Sequence, residues 1–504
     1  MLNSHLKRLS RAMLLSVSMA MVPVAALGSG ASLNPVVKET GLTSHQQFAR
    51  EQLTATIRLY DEHMRVPETG QYLDKVQLDE SKRQSTRSSI AATGAGLMSL
   101  VLGAELGVID DAAEKAAFTL SNLLNKDPEA TFSTPRSKSG WYKHFIDAYT
   151  GEGLAGSKQV FSTIDTAILG VGAFKVAKYF ETKAATDPAA KEAASLAREL
   201  LNTTDWGQSA RFEPTPGLHQ IFRGPQEQIE DRWWSLPFDE YVVLPCLGRA
   251  VEAGQGRVGP ATKFWDTYLS DVASLPQAEF AGHSVLAVRG KRFTSHFTHQ
   301  FAFYFCGELS SDEKYRAELH DVMQADKAWF MQNGGENHKD HWWGLGAGSE
   351  IKFDEHGNIR YSGYGVQKIG KNPHQTFSPA IMAGFIPAER AKVEPLKKAS
   401  YSDDVEQGWS SQTMPGHSEI IEDLMTLHNR NECRYQYKGL DFLWRCTAHD
   451  PSLKVRAVEG VDFSTYMLGL AWFDPAIGEE FFDNYAAKVR PMFPEARERR
   501  VSLD

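Results

Sequence analysis

The sequence predicts a mainly α-helical fold, namely an (α/α)6 barrel, or toroid, with long aromatic-rich loops and minor β structure. Apolar residues recur at three- and four-residue spacing along most of the 504-residue chain, which is the periodicity of helices that bury one face. Convincing strands are few, and the alternating strand and helix units of a parallel α/β sheet are lacking. Paired helical segments of similar length also recur weakly, as expected of a helical toroid.

The predicted helices follow one another along the chain. Helical periodicity is found in residues 48–64, 89–106, 112–124, 163–180, 189–201, 238–253, 261–272, 312–333, 417–428, 462–472 and 479–489. The segment 163–180 is apolar on most sides, which predicts a buried helix. The best strands are residues 284–288 and 359–364, and the second lies beside a turn-like segment at 355–358.

The first thirty residues follow the pattern of a secretory signal. Lys7, Arg8 and Arg11 form a positive start, residues 13–27 are mostly apolar, and small residues follow. This pattern predicts a signal peptide at residues 1–30, because the apolar stretch is short for a membrane span. A retained N-terminal anchor is the alternative. We therefore expect a single barrel domain at residues 31–504, periplasmic or secreted, with no membrane association after signal removal.

Charge and cysteine content exclude several classes of partner. The formal net charge is −9 and no basic stripe is present, which argues against nucleic acid as a partner. Four scattered cysteines are too few for a disulfide framework or a zinc ribbon. Cys433 and Cys446 could pair in an oxidising compartment. Cys246 lies in an apolar run, which predicts a buried residue that packs as a small hydrophobe.

Motifs of other enzyme classes are missing. The chain has no G-x-S-x-G elbow and no H-E-x-x-H helix. His296 and His299 lack the further ligands of a zinc site, so they are predicted to be core or substrate-contacting residues. The glycines at 344–348 lack the Lys-Ser/Thr of a phosphate loop. We expect neither a metal nor an organic cofactor.

Residues 280–400 are poorer in helical pattern and dense in Trp, Tyr, Phe, His and Gly. A connection this long inside a compact domain is uncommon unless it is functional. Aromatic rings offer flat apolar faces that match sugar rings, and their polar edges reach hydroxyl groups. Packing between loops is the alternative for any single aromatic residue. As a group they predict a carbohydrate cleft.

Two acids have unusually apolar flanks. Glycoside hydrolysis needs a proton donor and a second carboxylate, and apolar surroundings help the donor to keep its proton. Glu240 lies among Trp233, Trp234, Phe238 and Tyr241 at a predicted helix start. Burial there would raise its pKa and suit it to acid catalysis. An acid that merely complements a helix N-terminus is the alternative.

Asp165 lies in the first turn of the very apolar predicted helix 163–180, where Ser162 or Thr163 can cap. The functional interpretation is a buried carboxylate that faces a cleft at the barrel end. The alternative is again an acid that complements the helix start. Neither acid is a specific signal when taken alone.

An ordered series of segments resembles the glucoamylase-like domain of the bacterial endo-β-1,2-glucanases (glycoside hydrolase family 144) and their relatives. Residues 162–167 resemble the S-T-x-D-T-A helix start of that family, and residues 238–241 resemble its E-Y helix start. Residues 343–347 resemble its W-G-L-T-A turn, and residues 460–462 resemble a G-I-D near its C-terminus. The resemblance covers roughly residues 140–475, and the order and spacing of the segments carry it.

The resemblance implies an (α/α)6-barrel catalytic domain that cleaves β-1,2-glucan in an endo fashion with inversion. Glu240 falls on the general acid of the family, and Asp462 or Asp165 would activate the attacking water. Residues of the matching or aromatic segments are the expected substrate contacts, namely Trp141, Tyr142, Trp234, Tyr241, His296, His299, Trp343 and Tyr364. The expected partner is a β-glucan oligosaccharide or polysaccharide.

The sequence also departs from the family pattern. Residues 348–350 read Gly-Ser-Glu, without the usual D-G-P, and the segment 403–445 is enlarged. These departures point to a neighbouring family of the same clan with altered chain-length or linkage preference. A transglycosylase and a non-catalytic periplasmic glucan-binding protein are the two alternative functions.

Overall fold

The computed structural model is mainly helical with short strands between the helices, as the periodicity predicted. It describes residues 41–154, 160–224, 226–229, 234–235, 238–271, 275–288, 293–389, 416–485 and 487. The unit that begins at Leu42 is compact. The predicted signal peptide at residues 1–30 lies outside the described residues. Among the residues that are described, no helix combines the length and apolar character needed to cross a bilayer.

The helices begin with α1 (Ser44–Arg58), which continues into a π-helical turn at Leu59–Met64. The others are α2 (Ile90–Glu105), α3 (Ala112–Leu123), α4 (Thr163–Glu181), α5 (Pro188–Asn202), α6 (Val243–Gly254), α7 (Pro260–Tyr268), α8 (Phe297–Phe305), α9 (Gly307–Ser310), α10 (Glu313–Asn333), α11 (Pro379–Gly384), α12 (Ile386–Glu389), α13 (Glu419–Asn429), α14 (Gly460–Phe473) and α15 (Gly478–Tyr485). Short 3₁₀ turns occur at Trp206–Ser209 and Glu240–Val242.

The strands are short and form small antiparallel sheets. They are β1 (Lys75–Gln77), β2 (Arg87–Ser89), β3 (Tyr142–Lys143), β4 (Phe145–Asp147), β5 (Val160–Ser162), β6 (Ala210–Arg211), β7 (Gly217–His219), β8 (Ile221–Arg223), β9 (Gln228–Ile229), β10 (Trp234–Ser235), β11 (Gln277–Phe280), β12 (His283–Leu286), β13 (Ala347–Phe353), β14 (Ile359–Val366), β15 (Thr376–Phe377), β16 (Arg434–Tyr437), β17 (Leu440–Leu443), β18 (Cys446–Thr447) and β19 (Ala457–Glu459). The pairs β2–β4, β1–β19 and β13–β14 matter for the site described below.

Six helices pack side by side in a closed succession. α2 contacts α4, α4 contacts α6, α6 contacts α8, α8 contacts α11, α11 contacts α14, and α14 contacts α2 again. The remaining long helices each pack against one or two of these six, with α5 on α4, α7 on α6 and α1 on α14. α2, α4 and α14 are buried on almost every side, whereas α5 buries one stripe only. This division explains why residues 163–180 lack amphipathic periodicity.

Glycines allow the close approach of α2 and α4. A Cβ atom at Gly94 would collide with the carbonyl oxygen of Ile168, and one at Gly172 would collide with the carbonyl oxygen of Gly94. Backbone atoms of the two helices therefore pack directly against each other at this crossing. A side chain larger than hydrogen would force the helices apart.

The structure corrects the predicted helix at 238–253. Asp239 is extended (φ −167°), Glu240–Val242 form a 3₁₀ turn, and α6 begins only at Val243. Pro245 explains the late start, because proline is tolerated in the first turn of a helix but not in its interior. An uninterrupted helix from residue 238 would have placed this proline in its third turn.

The structure contains two disulfides, one between segments 60 residues apart and one within a short segment. Cys433 is bonded to Cys446, a pairing that the sequence analysis had left open. Cys246 is bonded to Cys306, at the end of α8. The prediction that Cys246 is only a small hydrophobic residue was therefore wrong, although the residue is fully buried. Its partner could not be chosen from sequence, because 60 residues separate the two cysteines.

Candidate active site

Short strands lead directly into three of the buried helices. β2 precedes α2, β5 precedes α4, and β19 precedes α14. Ser89 caps α2 and Ser162 caps α4, because each hydroxyl accepts a backbone N–H bond from the first turn. The pairing of β1 with β19 brings Asp74 beside the start of α14, where the Gly460 N–H donates to the Asp74 carbonyl oxygen at 2.9 Å. The polar residues at these junctions form the candidate site.

Asp462 is the most strongly perturbed acid at these junctions. It lies in the first turn of α14 and is 6% exposed. Burial, and after it the neighbouring Glu459 carboxylate, raises its pKa to about 7. Arg445 opposes this shift, as does the Tyr364 hydroxyl, which donates to Asp462 Oδ1 at 3.2 Å. Asp462 can therefore exchange a proton near neutral pH.

The guanidinium of Arg445 lies among several carboxylates. Arg445 is fully buried, and burial lowers its pKa while Glu459, Asp462 and Glu350 raise it. Glu459 is buried too, and its Oε1 accepts a hydrogen bond from Ser349 Oγ at 2.6 Å. Within the described residues, Nε and Nη1 of Arg445 have no hydrogen-bond partner. The positive charge of Arg445 therefore offsets the negative charges of Glu459, Asp462 and Glu350 through electrostatic attraction.

Gln367 extends this network toward the hairpin β13–β14. Its side chain accepts a hydrogen bond from Arg445 Nη2 and donates one to Glu350 Oε1. Glu350 also accepts from Ser362 Oγ at 3.3 Å and pairs with Lys352 Nζ at 3.0 Å. The Gly-Ser-Glu segment that departs from the family pattern lies in β13. It contributes Ser349 and Glu350 to this hydrogen-bond network.

Glu240 approaches the same cluster from the 3₁₀ turn before α6. Thr298 Oγ1 of α8 donates to Glu240 Oε2 at 3.3 Å. Burial of its hydroxyl end raises the pKa of Tyr364, and the carboxylates of Asp462, Glu240 and Glu459 add to this increase. Tyr364 is nevertheless 54% exposed, so its ring borders solvent. Glu240 and Asp462 thus both act electrostatically on one tyrosine, which is hydrogen-bonded to Asp462.

Asp165 lies at the start of α4, on the other side of Asp74. Its carboxylate accepts a hydrogen bond from the Ser162 hydroxyl and lies 3.5 Å from His144 Nε2. Burial raises the pKa of Asp74, and the Asp165 carboxylate adds to this increase while Arg87, Ser89 and His144 oppose it. Asp74 in turn raises the pKa of Asp462. The five acids around this end are therefore one electrostatically linked cluster, namely Asp74, Asp165, Glu240, Glu459 and Asp462.

Comparison with solved structures gives the fold a precedent. A glucoamylase candidate from Bacteroides caccae superposes with a TM-score of 0.65 at 15% identity, over 88% of this chain and 98% of that one. The endo-β-1,2-glucanase from Chitinophaga pinensis, solved with sophorotriose and glucose, gives 0.62 at 14% identity, over 87% and 95%. That of Talaromyces funiculosus, solved with β-1,2-glucan, gives 0.57 at 10% identity, over 85% of each chain.

The chain has the fold of the endo-β-1,2-glucanases. The resemblance noted in the sequence is thus confirmed for the fold. No protein-family model and no curated protein sequence matches the chain.

Most of the predicted substrate contacts lie in the core of this glucanase fold. Trp141, Tyr142 and Trp343 are fully buried, and Tyr241 is nearly so. Trp141 Nε1 donates to Gln208 Oε1 at 2.6 Å, the Tyr142 hydroxyl donates to the Leu123 carbonyl oxygen at 2.9 Å, and Trp343 Nε1 donates to Asp423 Oδ2 at 3.2 Å. Their contact with substrate stays a prediction, and the polar edges of Trp141, Tyr142 and Trp343 already have hydrogen-bond partners inside the protein.

His296 and His299 are buried as well. His296 Nε2 lies 3.3 Å from Asp326 Oδ1, and burial lowers the pKa of His299 to about 3. Neither side chain is exposed, which favours the core interpretation of the sequence analysis over substrate contact. Trp234 pairs with His219 through its backbone in β10, and its side chain lies outside the described residues. Tyr364 alone among the predicted aromatic contacts with described side chains is exposed.

Three residues of the site escaped the sequence analysis. Asp74, Arg445 and Glu459 lie on loops or strand ends with no apolar periodicity and no flanking motif. Glu459 directly precedes the Gly460–Asp462 segment that the family resemblance singled out, so its position was available as a signal. Asp74 and Arg445 join the site only through strand pairing and tertiary contacts.

Among the described residues, no group of His, Cys, Asp and Glu at the site is compact enough to hold a metal. The one His, Cys, Asp and Glu group compact enough for a metal in that part of the chain is Cys246, Cys306 and Glu308, where the two cysteines are bonded to each other. A surface cavity of about 690 Å³ is lined by Trp329, Lys371 and other residues, none of them from the acidic cluster. The cluster instead borders open surface at Tyr364.

Proposed function

We propose that the chain is a glycoside hydrolase that cleaves β-1,2-glucan internally by an inverting general acid/base mechanism. We further propose that the closed succession of six helices is the inner ring of an (α/α)6 barrel, with α1, α3, α5, α7, α10 and α13 as the outer ring. The observation that carries the functional proposal is that Glu240 and Asp462, which lie just before α6 and in the first turn of α14, both act on the hydroxyl of Tyr364.

Glu240 is the proposed general acid, which protonates the glycosidic oxygen of the leaving sugar. Thr298 Oγ1 donates to its Oε2 and so helps to hold the carboxyl group in place. Asp462 is the proposed base, acting on water directly or through a short hydrogen-bonded relay. A base is most effective when its pKa lies near the working pH, and Asp462 meets that condition.

Inversion places water and the leaving group on opposite faces of the sugar, which requires carboxyl groups roughly 6.5–9.5 Å apart. Asp165 is the second candidate for the base, since it lies in the same cluster. Its carboxylate already accepts from Ser162 and faces His144, so it is more restrained than Asp462. No step of this mechanism requires a metal or an organic cofactor.

The substrate assignment is supported by the proteins that share the fold. Two endo-β-1,2-glucanases of this fold were solved with sugars bound, one with sophorotriose and glucose and the other with β-1,2-glucan. The exposed Tyr364 ring beside Asp462 supplies the flat apolar face that a sugar ring needs.

The decisive experiment measures reducing-sugar release from a panel of β-glucans by the wild-type chain and by Glu240→Gln. We expect cleavage of β-1,2-glucan by the wild type and a loss of turnover of 10²-fold or more in the variant, the usual scale of general acid catalysis. Glu318→Gln is the control, because it makes the same substitution at an acid outside the cluster. Glu318 is buried, and burial raises its pKa to about 7. Near-wild-type turnover by Glu240→Gln would contradict the assignment.

Product analysis separates the alternatives. New linkages formed with an added sugar acceptor would identify a transglycosylase, and binding without any product would identify a glucan-binding protein. The anomeric form of the first product, followed by NMR, tests inversion.

We also propose that the protein works outside the cytoplasm, in the periplasm or after secretion. The two disulfides support this location, because structural disulfides persist in oxidising compartments. Fractionation of cells that produce the full chain tests this proposal.

A further inference from the structure

The strand β14 carries a concentration of exposed apolar side chains. Four of the large hydrophobic side chains that the described residues expose lie on this one strand, namely Ile359, Tyr361, Tyr364 and Val366. Its only partner in the described part of the chain is β13, so one of its edges is open there. Exposed apolar groups that are concentrated rather than scattered mark binding surfaces.

A β-bulge aligns the two tyrosines of this strand. Tyr364 pairs with Ser349 and Tyr361 pairs with Ile351, and Gly363 is the extra residue between them. Residues directly opposite each other in an antiparallel pair share a face, and Ser349 and Ile351 share a face because they are two apart. Tyr361 and Tyr364 therefore point to the same face. Without the bulge, their spacing of three would direct them to opposite faces.

This face begins at the catalytic cluster and continues into solvent. Ser349 and Ile351, on the β13 half, are buried, and Ser349 donates to Glu459. Tyr364, on the β14 half, donates to Asp462 and is more than half exposed. Tyr361 lies three residues earlier and is 40% exposed. The aromatic surface thus extends from Asp462 along the open edge of the hairpin.

Arg456 fixes the ring of Tyr361. Its guanidinium carbon lies 3.9 Å from the ring centroid, and its Nε lies 3.8 Å from Asp79 Oδ2. Stacking of this kind orients the ring and places several N–H donors at its edge. An oriented aromatic face beside hydroxyl-binding donors is the composition of a sugar subsite.

We propose that Tyr361, supported by Arg456, is an outlying subsite for the same glucan chain whose scissile bond lies at Asp462. This inference rests on the proposed function and names the part of the substrate that the hairpin binds. The residues opposite the two tyrosines, Ser349 and Ile351, are two positions apart, so Tyr361 lies roughly 7 Å from Tyr364 along the strand. Only a glucan that extends past the sugars next to the scissile bond reaches this subsite, so the hairpin gives the enzyme a preference for longer chains.

The test compares KM for β-1,2-glucan polymer with KM for the shortest oligosaccharide that the wild type cleaves. Tyr361→Ala should raise KM for the polymer about tenfold, and it should leave kcat and the oligosaccharide KM unchanged. Tyr361→Trp should keep the wild-type ratio, because it retains a flat ring. Phe118→Ala is the matched control, since Phe118 is 41% exposed on α3, and both of its KM values should remain at wild-type values.

An unchanged ratio of the two KM values in Tyr361→Ala would overturn the subsite, and so would an equal increase of both. This result is distinct from failure of the proposed function, which would appear as no cleavage of β-1,2-glucan by the wild type. If Tyr361→Trp changes the ratio of the polymer KM to the oligosaccharide KM as much as Tyr361→Ala does, the flat ring is not the source of the preference for longer chains.

Discussion

At the scale of single residues, the raised pKa of Asp462 predicts the pH dependence of catalysis. The proposed base must be ionised, so the rising limb of kcat/KM should have its midpoint near pH 7, and kcat/KM should fall again where the proposed acid Glu240 loses its proton. Glu459→Gln removes a carboxylate that raises this pKa and should shift the rising limb to lower pH. Tyr364→Phe removes a hydrogen bond that lowers it and should shift the limb upward. Shifts in the same direction for both variants would contradict this account of the site.

The ionised carboxylate of Asp462 should lower the stability of the folded protein, although catalysis requires it. The folded pKa of Asp462 lies above its ordinary value of 3.8, so the native state binds more protons than the unfolded chain between about pH 4 and 7. Its contribution to stability is therefore lost as pH rises through that window. Asp462→Asn should abolish activity and stabilise the protein by roughly 4 kcal/mol at pH 8.

Urea denaturation of both proteins at pH 8 and at pH 4 measures this effect, and the difference should disappear at the lower pH. Arg445 keeps Glu459 and Glu350 as counter-charges in the variant, so the loss of one carboxylate leaves it paired. A variant less stable than the wild type at pH 8 would show that the Asp462 charge is a net stabilising partner of Arg445.

The position of an acid at the start of a buried helix could be predicted from the sequence. Asp165 and Asp462 both lie in the first turn of an apolar helix, a local pattern that can be read from the chain. Burial of aromatic residues could not be read in the same way. Trp141 and Trp343 are as aromatic as Tyr364, and only their distant partners Gln208 and Asp423 decide that they belong to the core.

At the scale of elements, the crossing of α2 and α4 gives a test of the helix packing. Gly94→Ala should destabilise the protein by about 3 kcal/mol, because its Cβ would collide with the Ile168 backbone, which cannot rotate away. Gly103→Ala in the same helix is the matched control. Its Cβ would meet only Ile109 side-chain atoms, at 2.6 Å, and it gains about 1 kcal/mol of helix propensity. Equal urea midpoints for the two variants would argue against this crossing.

Element boundaries were predictable where capping and proline rules act locally. α4 and α10 begin within a residue of their predicted starts, since Ser162 and Asp312 are caps that the sequence displays. α8 was not predicted from periodicity, because nearly all of its residues are buried and no face is polar. The hairpin β13–β14 was half predicted, as residues 359–364 alternate but the bulge at Gly363 depends on the partner strand.

At the scale of the whole molecule, the ring of helices explains how acids far apart in sequence meet. Glu240 and Asp462 are brought together because α6 and α14 both belong to the closed succession of six. Periodicity identifies the helices, but it does not say which are neighbours, and the closing contact of α14 with α2 spans most of the chain. The family resemblance implied an (α/α)6 barrel, which stays a prediction, whereas the local patterns could not say which helices are neighbours.

The disulfides give a prediction about this long-range closure. In the chain-entropy account, a cross-link stabilises by restricting the unfolded chain, so the benefit grows with the loop it closes. Cys246–Cys306 closes 60 residues and should contribute about 4 kcal/mol, whereas Cys433–Cys446 closes 13 and should contribute about 3 kcal/mol. The variant Cys246→Ala/Cys306→Ala should therefore unfold at lower urea concentration than Cys433→Ala/Cys446→Ala.

Under reducing conditions the urea midpoints of both variants should approach that of the reduced wild-type chain, which is the internal control. Identical midpoints for all three oxidised proteins would mean that neither bond constrains the unfolded chain, and the support they lend to an extracytoplasmic location would be lost.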